Sequence, residues 1–393
     1  MKNSKSKGAN CSRTAVALLI ETSNAYAREL LHGIQTYARA NRHWALHLTE
    51  QGRGETPPAW LRSWRGDGLI ARVETKSVAD AVRQAGVPVV NVSAAELAPE
   101  FPKVISDSAA ISRLAAEHLL ERGFRHFGYC GDGRFAWSTR HGGNFVRHLA
   151  DAGFECAVFD SRPSDAEDWE REQRKLAQWI RSLPKPAGVM ACYDIRGQQV
   201  LDVCRASGVV VPDEVAVIGQ HNDELLCDLC DPPLSSVIPN ARRAGYEAAA
   251  LLDRMMRGKA KSPQGVLIEP VGVLTRQSTD VLAVSDSRIS AAVRFIREHA
   301  CERIGVEDAR KVAAMSRTLF ERRFRRLLGC APYEQILKVR LAKARELLAL
   351  TNLTLAEISE RAGFSSPEYF SAALRKRLKT TPSQLRQRLR QGH

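Results

Sequence analysis

The C-terminal quarter of the chain contains one amphipathic pattern twice. Residues 316–328 have the sequence SRTLFERRFRRLL, and residues 366–378 have the sequence SPEYFSAALRKRL. Serine, phenylalanine, arginine and leucine recur at equivalent positions of the two segments, about fifty residues apart. In both copies an apolar stripe at helical spacing lies opposite a polar face, which predicts two helices of the same kind.

The segments around this repeat predict an all-α domain with two helix-turn-helix units. Helices are expected at 290–298, 306–314, 333–350 and 354–361, so each repeated helix follows a partner helix after a short turn. A short exposed helix held by a partner helix can enter the major groove of DNA. The apolar stripes are expected to be buried, with Phe320, Phe324, Leu327 and Leu328 in the first copy and Phe370, Leu374 and Leu378 in the second.

This domain, residues 288–393, resembles the DNA-binding domain of the AraC/XylS family. The duplicated unit, the linking helix and the motif of Thr381 and Pro382 carry the resemblance. It implies double-stranded promoter DNA as a partner. For the arginines, phosphate contact is favoured over base contact; Glu321 and Glu368 either accept from cytosine amino groups or form surface salt bridges. The implied DNA-binding positions are Arg317, Thr318, Glu321, Arg322 and Arg325 in the first unit, and Ser366, Pro367, Glu368, Ser371, Ala372, Arg375 and Lys376 in the second.

Charge is concentrated in the same quarter of the chain. The 393 residues carry a net charge of +14, yet residues 288–393 hold 23 basic and 10 acidic residues. Residues 1–13 form a second, short basic segment, which is expected to be a flexible tail. No apolar run approaches the ~18–20 residues that span a membrane, and no signal peptide is evident. The nine scattered cysteines do not suggest a disulfide scaffold, so a cytoplasmic protein is expected. The resemblance to the AraC/XylS family implies that it is bacterial and associated with the nucleoid.

Residues 14–279 alternate between short apolar runs and amphipathic segments. Such βα alternation predicts parallel sheets covered by helices on both faces, and the length favours two lobes. A pair of terminal strands is expected within 266–278, followed by a linker at 280–287. The other predicted strands are 14–20, 44–49, 68–73, 87–92, 104–106, 126–130, 156–160, 188–192 and 215–219.

This region resembles the LacI/GalR family and the periplasmic sugar-binding proteins. The resemblance rests on the segment DPPLSSV at 231–237, the helix that follows it, and the segment ETSNAY at 21–26. It implies a two-lobed core of periplasmic-binding-protein type, hinged between the lobes, with a small polar ligand in the inter-lobe cleft. No cofactor is implied.

The candidate ligand-binding residues lie at predicted strand ends. Open α/β sheets bind ligands beyond the carboxyl ends of their strands. A mixture of carboxylate, guanidinium, amide and aromatic groups suits a polyol, whose hydroxyls both donate and accept hydrogen bonds. The alternative for any single residue is a loop cap or a surface charge. The candidates are Asn24, Tyr26, Arg28, Arg140, Asp194, Arg196, His221 and Asn222.

His221 departs from the family pattern, which usually has an aspartate at this position. An aspartate can accept two hydrogen bonds from a vicinal diol, whereas a histidine cannot and titrates near a pKa of ~6.5. Two explanations remain open: the ligand differs from the usual sugar, or Asp223 takes over the role.

Enzymatic and metal-binding functions find little support. Cys227 and Cys230 form a CxxC motif, but no second pair completes a four-ligand zinc site. No acid/base pair or nucleophile constellation is evident, so the chain is predicted not to be an enzyme.

The order of the two domains resembles that of pentose-responsive regulators. This resemblance implies a homodimeric activator of pentose catabolic genes that responds to a sugar such as xylose and contacts RNA polymerase. The alternatives are a repressor, or a regulator of the same architecture with another small polar ligand.

Overall fold

The structure is a computed structural model that describes residues 13–41, 44–52, 55–161, 169–258, 265–280 and 286–390. The predicted tail at 1–13 and linker at 280–287 lie mostly outside the described residues. Internal contacts divide the chain into two compact units. The first consists mainly of residues 1–105 and 241–266, and the second of residues 106–240 and 267–391.

The described residues contain twelve strands and fifteen α-helices. The strands are β1 (Ala15–Leu19), β2 (Ala45–Leu48), β3 (Gly68–Ala71), β4 (Val89–Asn91), β5 (Val104–Ser106), β6 (His126–Asp132), β7 (Cys156–Ser161), β8 (Ala187–Ala191), β9 (Val215–Gln220), β10 (Ser235–Ile238), β11 (Val266–Ile268) and β12 (Gly272–Leu274). The helices are α1 (Ala25–Asn41), α2 (Lys76–Gln84), α3 (Ser108–Leu120), α4 (Ala136–Asp151), α5 (Trp169–Ser182), α6 (Asp194–Ala206), α7 (Glu224–Leu229), α8 (Ala241–Met256), α9 (Ser287–His299), α10 (Val306–Ala313), α11 (Arg317–Leu328), α12 (Pro332–Leu350), α13 (Leu355–Arg361), α14 (Pro367–Leu378) and α15 (Pro382–Arg390).

The first unit is a parallel sheet of four strands in the order β2-β1-β3-β4. Helices α1 and α8 cross each other at two glycines. A β-carbon on Gly33 would collide with the carbonyl of Arg242, and one on Gly245 would collide with the carbonyl of Leu30. The absence of these side chains therefore lets the two helix backbones approach closely.

The second unit contains a sheet of six strands in the order β12-β10-β9-β8-β6-β7. All neighbours are parallel except β12, which runs antiparallel to β10. Successive residues of β8 point to opposite faces. Gly188 faces Leu119 of α3, whereas Val189 belongs to the core formed with α5 and α6. The predicted α/β core with parallel sheets is confirmed.

The predicted pairing of the last two strands of the core is wrong. Strand β11 pairs with β5, and β12 pairs with β10 in the six-stranded sheet. Both strands are three residues long, so neither carries enough alternation in its sequence to reveal its partner.

Helices α9–α15 also belong to the second unit and form the predicted all-α domain. Helices α10 and α11 make the first helix-turn-helix unit and pack around Phe320 and Phe324. Helices α13 and α14 make the second, around Phe364 and Phe370. The expected burial of Leu378 is wrong: its side chain is 42% exposed, because the last turn of α14 extends beyond this core.

Among the described residues, no helix combines the length and the apolar composition that crossing a membrane would need.

Candidate ligand site and nucleic-acid interface

Three predicted ligand residues lie directly after β1 in the first unit. Asn24 accepts a hydrogen bond from the backbone N–H of Ala27 at 2.9 Å and so caps the start of α1. Arg28 donates to the carbonyl oxygen of Thr22 at 3.0 Å, and Tyr26 is buried. The side-chain oxygen of Asn24 therefore stabilises the start of α1, and its amide nitrogen is left to contact the residues at the strand end.

The amide nitrogen of Asn24 contacts a charged network that the sequence analysis did not predict. Asn24 donates to Glu21 at 2.7 Å, and Glu21 accepts from Arg72 at 2.5 Å. Arg72 also contacts Glu74 and lies 5.5 Å from the centre of the Tyr26 ring. Leu19 and Ala71 are in register, so the residues that follow β1 and β3 meet at one sheet edge.

Several polar atoms at this edge lack protein partners. Nε of Arg72, Oε2 of Glu74 and Nδ2 of Asn91 are buried without a hydrogen-bond partner among the described residues. Buried polar groups are nearly always hydrogen-bonded, so three orphaned atoms at the carboxyl edge of one sheet call for an explanation. The signal in the sequence was a single arginine at the end of the apolar run Gly68–Ala71.

In the second unit, Asp194 is tied to the strands beside it. The carboxylate accepts from the Ser236 hydroxyl at 2.6 Å and from the backbone N–H of Asp223 at 2.9 Å. The Cys227 thiol also donates to it. Asp194 is only 2% exposed, and burial raises its pKa to about 7.

His221 and Asn222 follow β9 in a strained conformation. Their φ angles are 103° and 51°, in the left-handed region that residues with a β-carbon rarely adopt. The backbone N–H of Asn222 donates to the Ser236 hydroxyl at 3.0 Å, which joins this loop to the Asp194 network. Such strain clusters at functional sites.

Aromatic rings missed by the sequence analysis surround His221. Its ring centre lies 6.4 Å from that of Trp137 and 6.5 Å from that of Tyr193. The side chain of Asp223, the proposed substitute for the family's aspartate, accepts from the backbone N–H of Leu226 and caps α7. One oxygen of its carboxylate thus caps a helix, and a role of Asp223 towards a ligand stays a prediction.

The two predicted arginines of this unit lie in different environments. Arg196 is 4% exposed and bonds to Glu172 at 2.8 Å and to the carbonyl of Gly131 at 3.1 Å. Arg140 is half-buried on α4. Burial of the neighbouring His141, and then the positive charge of Arg140, lower the pKa of His141 to about 4. The structure thus brings Asp194, His221 and Asn222 together, and it engages Arg196 with Glu172.

The first helix-turn-helix unit presents a basic surface on α11. A shallow concave surface there is lined by Arg317, Thr318, Glu321, Arg322, Arg325 and Arg326, and Arg326 was not among the predicted residues. Arg317 donates to Glu321 at 3.1 Å, so Glu321 is engaged in the surface salt bridge that sequence analysis offered as one alternative. The other side of α11 is anchored by the buried Phe320 and Phe324.

The second unit presents a surface of different chemistry on α14. Ser366 accepts from the backbone N–H of Tyr369 at 3.2 Å and caps the helix that Pro367 begins. Its hydroxyl also lowers the pKa of Glu368. Most predicted contact residues of this helix are exposed, with Ser366, Pro367 and Ser371 half-buried and Glu368, Ala372, Arg375 and Lys376 open to solvent.

Comparisons with known proteins agree with both parts of this architecture. Residues 116–279 match a family described as periplasmic binding protein-like domain, and residues 310–388 match a helix-turn-helix domain. Residues 15–109 match the XylR N-terminal domain. The α/β core and the paired helix-turn-helix units therefore define a DNA-binding transcription regulator, not an enzyme.

Relatives similar over their whole length narrow this class to a family. The xylose operon regulatory protein of Escherichia coli (strain K12) is 33% identical over 383 residues, which cover 95% of this chain and 97% of that protein. Its counterpart in Haemophilus influenzae is 29% identical and covers 94% and 97%. A solved structure of a xylose-binding transcription activator, XylR, is similar with a TM-score of 0.63 at 32% identity and covers 96% and 98%. The chain belongs to the family of the xylose operon regulatory protein.

Proposed function

We propose that this chain is a bacterial cytoplasmic activator of pentose catabolic genes, with xylose as its effector. One observation carries the proposal. The same compact unit contains a strand edge with strained, polar and aromatic residues and an exposed helix lined by arginines. The edge holds Asp194, His221 and Trp137, and the helix is α11. The relatives named for xylose support the choice of sugar.

The chemistry of the strand edges suits a neutral polyol. Asp194 accepts hydrogen bonds, Asn222 and Asn24 can donate and accept, and aromatic rings can cover the apolar face of a sugar. In the first unit, the orphaned atoms of Arg72 and Glu74 supply one donor and one acceptor. Within the network, Glu21 and Glu74 flank the guanidinium of Arg72, so the network itself presents no excess positive charge to a sugar phosphate or sugar acid.

The output is promoter binding by a homodimer whose effector changes the geometry of its DNA-binding domains. Two helix-turn-helix units in each copy would read successive major-groove segments about 34 Å apart. Contact with RNA polymerase would complete activation. The effector can shift the equilibrium only by the difference in its affinity for the two states.

Titration calorimetry against xylose, arabinose, ribose and xylulose 5-phosphate tests the ligand, and a promoter-fluorescence assay with and without each sugar tests the output. We expect xylose to bind and to change operator affinity. Asp194→Asn should weaken sugar binding by about 10- to 100-fold, because it replaces one acceptor oxygen of the carboxyl group with an amide donor. Arg322→Ala should leave sugar binding intact. Failure of all four ligands to bind would rule out a pentose effector.

A further inference from the structure

The helix-turn-helix domain is packed against the α/β part of its own unit. Lys338 pairs with Glu121 at 2.8 Å, and Arg125 donates to the carbonyl oxygen of Leu327 at 3.0 Å. Arg345 donates to the carbonyl oxygen of Pro270 at 2.5 Å. Two of these contacts involve α12 and one the last turn of α11, and none of the three uses the arginine side chains that line the concave surface of α11.

One end of the strand pair β10/β12 forms part of this attachment. Val271 belongs to the apolar core of the second helix-turn-helix unit, together with Leu385 and Leu389, and Ile238 packs against that core. The amide of Asn240 donates to the carbonyl oxygen of Leu389 at 3.1 Å in a buried position. This carbonyl lies in the last turn of α15, where no helical partner is available, so Asn240 acts as a cap supplied from outside the helix.

The same strand also borders the candidate ligand site. Ser236 donates to Asp194 and accepts from the backbone N–H of Asn222, and the N–H of His221 donates to the carbonyl oxygen of Val237 at 3.1 Å. From Ser236 to Asn240 the chain advances four residues, about 13 Å when extended. Strands β9 and β10 are parallel, with Gln220 opposite Val237, so the strained loop at 221–222 lies beside the carboxyl end of β10. The candidate effector loop and the attachment of the DNA-binding domain therefore both border that end of one strand.

We propose that β10 transmits effector binding to the DNA-binding domain, with Asn240 as the latch that couples the strand to α15. This inference rests on the proposed function for the identity of the effector. An effector that contacts Asp194 and the loop at 221–222 competes for or strengthens the hydrogen bonds to Ser236. A change in the position of β10 then reaches α15 through Asn240 and through the apolar contacts of Ile238 and Val271.

The test is Asn240→Ala in the full chain, which removes the amide cap but none of the groups at the ligand edge. We expect sugar affinity within about threefold of wild type, while the sugar-induced change in operator affinity falls to nearly none. Amide hydrogen exchange should be faster in α15 even without sugar, because an end carbonyl has lost its partner. The matched control is Asn41→Ala, whose amide donates to the carbonyl of Tyr37 at the end of α1 in the other unit.

A wild-type sugar response in Asn240→Ala, with unchanged exchange in α15, would overturn the latch. If Asn240→Ala does not fold and therefore does not bind sugar, Val271→Ala tests the same coupling. This variant shortens a side chain of the core shared by β12 and the second helix-turn-helix unit, and it should likewise reduce the sugar-induced change in operator affinity. A wild-type chain that responds to no sugar would contradict the proposed function instead, and exchange in α15 would still report on the latch.

Discussion

The two helix-turn-helix units share a backbone but differ in the chemistry they present to DNA. Helices α11 and α14 are both twelve residues long, and each is anchored by a fully buried phenylalanine, Phe320 or Phe370. Arg322 on α11 has Ala372 as its counterpart on α14. The scaffold is therefore duplicated, whereas the concave surface lined by arginines belongs to the first unit.

The units also place their left-handed residues differently. In the first unit the turn residue is Ala314, with φ 48°, and Gly329 caps the end of α11. In the second the turn contains Gly363, with φ 78°, and Lys379, with φ 53°, caps the end of α14. Each unit thus has one glycine and one residue with a β-carbon in the left-handed region. Lack of space explains one of the two glycines: a β-carbon on Gly363 would lie 2.6 Å from the carbonyl oxygen of Ala300, whereas one on Gly329 would meet nothing within 4 Å. At Gly329 the left-handed φ angle alone favours glycine.

The largest effects should come from the shared scaffold. Phe320→Ala and Phe370→Ala should each destabilise their own unit by about 3–5 kcal/mol, because both rings are fully buried. Hydrogen exchange followed by mass spectrometry, read separately in α11 and α14, measures the two effects. Equal loss of protection in both helices after either substitution would show one cooperative core instead of two.

The next effect tests the difference in chemistry. Arg322→Ala should weaken operator binding by about 1–3 kcal/mol, since it removes a basic group from the concave surface of α11. Fluorescence anisotropy with labelled operator DNA measures the change. Arg62→Ala, an exposed arginine of the first unit of the chain, is the control. If Arg322→Ala left the affinity for operator DNA unchanged, the hypothesis that the arginines of α11 contribute strongly to DNA binding would be wrong.

A smaller effect tests the two turns. Ala314→Gly should stabilise the first unit by about 1 kcal/mol, because an L-residue is penalised in the left-handed region. Gly363→Ala should act in the opposite direction and more strongly, since strain and a backbone clash combine there. Thermal unfolding curves of the two variants should shift in opposite senses, and a shift in the same sense would refute the comparison.

The smallest effect would make the second unit resemble the first. Ala372→Arg adds one cation to an exposed position of α14. If this face approaches phosphate, the salt dependence of operator binding should steepen by about 0.9 in the logarithmic slope. Affinity measured across a range of salt concentrations gives that slope. No change would place this position away from the DNA backbone.

The sequence predicted the fold far better than it predicted the contacts of the site. Alternation of βα units and the duplicated amphipathic helix depend on local periodicity, and both predictions are confirmed. The network of Glu21, Arg72 and Glu74 escaped notice because it joins the ends of two strands whose adjacency only the sheet order reveals. The strain at His221 was equally hidden, since an amino-acid sequence does not record its φ angle.

The crossing of α1 and α8 at Gly33 and Gly245 has a consequence for biogenesis. Helix α8 ends at Met256, far along the chain from the strands of the sheet that it helps to cover. During synthesis at about 5–20 residues per second, the first sheet must wait on the order of ten seconds for that helix. In that interval its apolar face is open to chaperones and to aggregation, so the yield of this regulator depends on how quickly translation proceeds between β4 and α8.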